Sequence, residues 1–229
     1  MAALAGKTCL VFDDGSAVAT SVVEAVRAAG GAVIAAAVND RAKGRGGALD
    51  LTERSDAAWS AVLSGAGAPA INAPRINCAI NVAIPSAGGA VGKTSADEFR
   101  AALEASYDRS FLALKFAIPL LRQSNGGAFV TITSADFVTG APAATARCAA
   151  ANGIVLMTRS AALECAGKGD NVRVNAVIAG DILARAESRL GPGHAISDEL
   201  AATAVYLISD AASYITGLIL PVDNGRGRA

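Results

Sequence analysis

Short apolar runs alternate with amphipathic stretches along most of this chain, and that alternation predicts a parallel β-sheet covered by helices on both faces. Thr8–Phe12 reads as a first strand closed by Asp13-Asp14-Gly15. Positions 17–29 follow with Val18, Val22 and Val26 on one helical stripe, and Gly30-Gly31 ends the helix. Further strands are predicted at 32–38, 48–51, 76–84, 128–133, 172–178 and 219–222. Helices are predicted at 56–63, from the capping box Ser95-Ala-Asp-Glu98 to about Leu121 with a break near Asp108-Arg109, at 143–167, and at 198–209. No internal repeat interrupts this order. The expected architecture is α/β: one Rossmann-like domain over 1–229, a doubly wound parallel sheet flanked by helices on both faces.

Composition narrows the class. Hydrophobic residues make up 52% of the 229 positions, and mean hydropathy is +0.41. Much of this is alanine, and no run approaches the roughly 18 to 20 apolar residues that cross a bilayer. Neither a membrane segment nor a signal peptide is read, so the expected location is the cytoplasm. Twenty basic and 20 acidic residues cancel, and no concentrated basic face offers itself to nucleic-acid phosphates. Near-zero charge suits a subunit buried in an oligomer. Cys9, Cys78, Cys148 and Cys165 lack metal-ligand spacing and read as small core residues.

Several stretches resemble the short-chain dehydrogenase/reductase family, and together they span nearly the whole chain. They are Leu4–Val11, Asp50-Leu-Thr52, Thr131-Ile-Thr-Ser134, Asn171–Val177 and Ser213–Gly225. The departures from the family pattern fall on functional positions. Where the family carries a glycine-rich phosphate turn, this chain reads Phe12-Asp13-Asp14-Gly15-Ser16-Ala17-Val18-Ala19. Ala17 and Ala19 put methyl groups at glycine positions. Asp13 and Asp14 each oppose a pyrophosphate by a few kcal/mol at about 4–6 Å and an effective dielectric near 20. Val38-Asn39-Asp40 offers Asp40 as the acidic group for a ribose only after a shift in register, while Asp50 matches the adenine-contacting stretch. Asn81, in Ile80-Asn-Val-Ala83, keeps one asparagine of the family's Asn-Asn-Ala-Gly.

The resemblance also implies the acid/base apparatus. Ser134 matches the catalytic serine, and the family's 13-residue spacing from serine to tyrosine lands on Arg147. The lysine position is Ala151 and the catalytic asparagine position is Ser106. That chemistry needs a phenol made acidic by a neighbouring ammonium; arginine stays protonated and cannot play the part. No Tyr-x-x-x-Lys exists elsewhere, because the tyrosines are Tyr107, Tyr206 and Tyr214, which weighs against an ordinary reductase. Ala179-Gly180 stands where Pro-Gly packs on nicotinamide. The lid, 181–197, looks truncated, and its His194 reads as a solvated loop residue.

The expectation from these positions is a non-catalytic subunit without a cofactor of its own, with NAD held by a homologous active partner in a hetero-oligomer. The heteromeric benzylsuccinate-pathway hydroxyacyl-CoA dehydrogenases offer a pattern of this kind. The alternative is altered chemistry, with Arg147 and Ser134 as an anion or carbonyl clamp. Arg147, Asp136 and Arg109 forming an internal ion-pair set is favoured over that clamp.

Overall fold

A computed structural model describes residues 2–37, 47–48, 75–84, 89–134, 140–180 and 194–223. The strands are β1 Thr8–Asp13, β2 Ala32–Ala37, β3 Gly47–Ala48, β4 Cys78–Val82, β5 Gly127–Ser134, β6 Val172–Ala179 and β7 Ile219–Val222. They form one parallel sheet in the order β3-β2-β1-β4-β5-β6-β7. Helices α1 Ala17–Ala28, α2 Ala96–Leu103, α3 Arg109–Gln123, α4 Thr145–Lys168 and α5 His194–Ile208 fill the connections.

The strands read as almost unbroken apolar runs because both faces are covered. On one face α1 and α5 bury Val18, Val22, Val26, Leu200 and Leu207 against Val11, Ile80, Val130 and Ile132. On the other, α3 and α4 bury Leu114, Leu121 and Ala162 against Phe12, Phe129 and Val174. Cys9, Cys78 and Cys165 are buried thiols, and Cys148 is partly buried. The neighbouring Cys78 thiol and burial push the Cys9 thiol well up, which keeps it protonated. Among the described residues no helix is long and apolar enough to cross a membrane.

Local chemistry explains the boundaries. Ser16 caps α1 by accepting from Ala19 N, and the Ser95–Glu98 capping box opens α2 as the pattern indicated. Gly169, left-handed at φ 67°, ends α4. The expected break near Asp108-Arg109 is a π-turn over Glu104–Asp108. Two serine side chains bond back to carbonyls one turn earlier there: Ser106 Oγ to Ala102 O at 3.2 Å and Ser110 Oγ to Ser106 O at 2.8 Å. Tyr107 lies over Gly153 of α4, where a Cβ would come within 2.5 Å of the ring.

Two expectations need correction. The last helix already includes His194, four residues before the expected start at 198, and residues 194–197 contain neither Gly nor Pro to interrupt it. His194 is therefore helical backbone and not a loop residue. Of the strand expected at 48–51, the structure gives Gly47–Ala48. Positions 49–51, the helix expected at 56–63, Asp40, Asp50, Asp136 and residues 181–193 lie outside the described residues.

Candidate functional site

In an open parallel sheet the ligand crevice forms at the carboxyl ends of the strands, where the chain reverses its direction of winding. Here the reversal lies between β1 and β4. The residues singled out from sequence surround that end: the β1–α1 turn, Asn81 near the end of β4, Ser134 closing β5, and Ala179-Gly180 closing β6. Arg147 and Ala151 stand in the first two turns of α4.

The turn on β1 is the most detailed element. Gly15 is left-handed, at φ 76°, a conformation that glycine adopts without steric cost. Asp13 is only 3% exposed, and its Oδ1 accepts from Gly15 N at 2.7 Å. Asp14 Oδ1 accepts from Ser16 N at 3.0 Å. Burial raises the Asp14 carboxyl above the usual range, Asp13 beside it adds to the rise, and the Ser16 hydrogen bonds oppose it. The N–H groups of Ala17 and Val18 at the start of α1 have no partner among the described residues, so they are open donors at a positive helix end.

Ala17 and Ala19 occupy different environments in this turn. Ala19 is fully buried and packs with the α1 core face, because it lies one position on from Val18 along the helix. Ala17 is exposed, and its N–H has no partner among the described residues.

Beneath α4 the structure joins two predicted positions through a third residue. Asn81 Nδ2 donates to Ser110 Oγ at 3.0 Å, and Ser110 Oγ donates to Ser106 O. Ser106 is 3% exposed, with its hydroxyl on Ala102 O. Sequence reading missed Ser110, whose signal was its place four residues after Ser106 on the same helix face. It also missed Thr131 and Thr133, the polar members of a period-two pattern in a buried strand. Thr131 sits opposite Asn81 in the ladder, and both threonine hydroxyls are buried without a hydrogen-bond partner among the described residues.

Ala151, at the position that the sequence resemblance gave to the family's lysine, is 0% exposed. Arg147 and Ser134 are half-buried and both interact with neighbouring groups. Gly180 donates to Val222 O at 3.1 Å, and a Cβ there would lie 2.7 Å from Asp223 Cα. The glycine is therefore accounted for by the close approach of the ends of β6 and β7.

Comparison with known proteins agrees with this geometry. A family model described as enoyl-(acyl carrier protein) reductase matches residues 13–226. The chain is 32% identical to a 2,5-dichloro-2,5-cyclohexadiene-1,4-diol dehydrogenase of Sphingobium indicum, over 98% of both chains. It is 28% identical to a protein of Xanthobacter autotrophicus named inactive 2-(S)-hydroxypropyl-CoM dehydrogenase 2, over 60% of this chain and 67% of that one. In fold it resembles the 3-ketoacyl-(acyl-carrier-protein) reductase of Brucella melitensis complexed with NADH, with TM-score 0.77 and 22% identity over 97% of this chain and 99% of that one.

These findings overturn the expectation that this chain binds no cofactor and leaves NAD to a partner. The match to a nucleotide-binding family covers the turn itself, and the similar fold was solved with NADH. The expectation took Asp13, Asp14, Ala17 and Ala19 to close the turn to phosphate, whereas the N–H groups of Ala17 and Val18 stay open. The carboxylates fold back onto the turn's own N–H groups, Ala19 turns into the core, and Ala17 faces solvent. The family model covers residues 13–226 and a relative 32% identical covers 98% of the chain, so the chain belongs to the short-chain dehydrogenase/reductase family.

Proposed function

We propose that this protein is a dinucleotide-binding member of the family that lacks a tyrosine–lysine acid/base and works as the non-catalytic subunit of an active homologous dehydrogenase. The observation that carries the reading is on α4. The position aligned with the lysine is a fully buried alanine, and the position aligned with the phenol is an arginine in the first turn. Neither side chain supplies the phenol or the ammonium on which that proton transfer depends. NAD(P) supplies a hydride carrier when bound. The open N–H groups of Ala17 and Val18, the left-handed Gly15 and Asn81 are the residues that would hold it. Orientation of nucleotide and substrate is retained in this reading, and proton transfer is not. One relative bears the word inactive in its name, which supports the loss of activity within related chains.

Assembly rests on a second observation. Phe111 on α3 is 52% exposed, and Leu156 and Leu163 on α4 are 63% and 75% exposed. Leu156 and Leu163 are seven residues apart, two helical turns, so they lie on one stripe. Packing that stripe against a homologous chain removes it from water.

Co-expression with an active homologue, followed by native mass spectrometry, tests the reading. The expected product is a mixed oligomer, and the double variant Leu156→Glu, Leu163→Glu is expected to reduce it at least tenfold while leaving the thermal midpoint within a few degrees. Turnover by the purified wild-type chain alone would refute the non-catalytic assignment. Unchanged assembly of the double variant would refute the α4 interface.

A further inference from the structure

The β1–α1 turn carries anionic groups where an anion is to be bound. In this family the turn meets the phosphates of the cofactor, and backbone N–H groups at a helix N-terminus are suited to that role. Here the chain's own oxygens already take three such donors: Asp13 Oδ1 on Gly15 N, Asp14 Oδ1 on Ser16 N, and Ser16 Oγ on Ala19 N at 3.2 Å. A carboxylate is the side chain nearest to a phosphate in charge and acceptor geometry, and its bonds to N–H groups are charge-assisted. The N–H groups of Ala17 and Val18 remain open beside them.

We propose that Asp13 and Asp14 form an intrinsic anion latch on the dinucleotide site: their carboxylates hold Gly15 N and Ser16 N, and the phosphates of a cofactor engage the turn by displacing them. The inference rests on the dinucleotide-binding reading above. Asp13 is held inside by burial, while Asp14 is only half-buried, so Asp14 is the more readily displaced of the two. The latch has two separable consequences. It satisfies donors in the empty protein, which supports the start of α1. It also competes with phosphate by occupancy and by charge. Removing it moves stability and nucleotide affinity in opposite directions, whereas ordinary damage to the turn lowers both.

The test is titration calorimetry of wild type, Asp13→Ala, Asp14→Ala and Asp14→Asn with NAD+, and with adenosine as the phosphate-free probe, alongside thermal unfolding. Asp14→Ala is expected to tighten NAD+ binding at least tenfold while lowering the thermal midpoint. Asp14→Asn keeps the acceptor but not the charge and is expected to give a smaller gain at near-wild-type stability. It also stands as the informative variant if Asp13→Ala does not fold. Adenosine affinity is expected to stay unchanged throughout. Wild-type binding of NAD+ with no variant differing by more than twofold would overturn the latch and leave the dinucleotide site standing. Adenosine tightening in parallel with NAD+ would also overturn it. No NAD+ binding by any of the four proteins would overturn the site and the latch together.

Discussion

Gly127→Ala is expected to destabilise the protein by about 3 kcal/mol or more, toward the upper end of what overpacking costs. A Cβ at Gly127 would lie 2.2 Å from the Asn77 carbonyl oxygen and 2.8 Å from Leu121 Cδ2. The first of these is backbone, so rotamer adjustment gives no relief. Asn77 O also accepts from Ala128 N at 3.3 Å, so the methyl group has to push apart the start of the β4–β5 ladder in the centre of the sheet. Urea unfolding is the measurement. A midpoint equal to that of wild type would contradict the expectation, and Gly92→Ala provides a comparison because nothing lies within 4 Å of a Cβ there and its backbone is not left-handed.

Phe12→Ala is expected to cost about 3–5 kcal/mol, the usual range for deleting a buried aromatic ring. Phe12 is among the largest fully buried side chains and packs in the α3–α4 core beside Phe129 and Leu114. It also immediately precedes Asp13, the first residue of the turn. The cavity therefore lies beneath the element that presents Gly15 and the open donors of α1. NAD+ affinity is expected to fall with stability in this variant, the opposite pattern to Asp14→Ala. Chemical denaturation and calorimetry on the same preparation check both effects. Tighter NAD+ binding by Phe12→Ala would show that the turn does not depend on the packing beneath it.

The sequence alone determined the class and order of the described elements. A strand buried on both faces must be apolar along its length, and a helix on one face must carry a stripe, so Thr8–Phe12 and the stripe at 18, 22 and 26 were legible without coordinates. Capping is equally local, and Ser95 with Glu98 opened α2 where the pattern placed it. The absence of Tyr-x-x-x-Lys was also plain in the residues, since none of Tyr107, Tyr206 and Tyr214 has a lysine four positions on, and the resemblance to the family puts Arg147 and Ala151 at those positions.

Only the tertiary structure decided which way side chains point. The sequence placed Asp13, Asp14, Ala17 and Ala19 at a phosphate turn but gave no means to tell a carboxylate facing the ligand from one folded onto Gly15 N. The difference depends on backbone dihedrals, Gly15 at φ 76° above all. At Gly180 only the structure shows that a Cβ would lie 2.7 Å from Asp223 Cα at the end of the neighbouring strand. The Asn81–Ser110–Ser106 connection joins residues 29 positions apart. Strand register and helix packing create it, and neither is encoded in a local window of sequence.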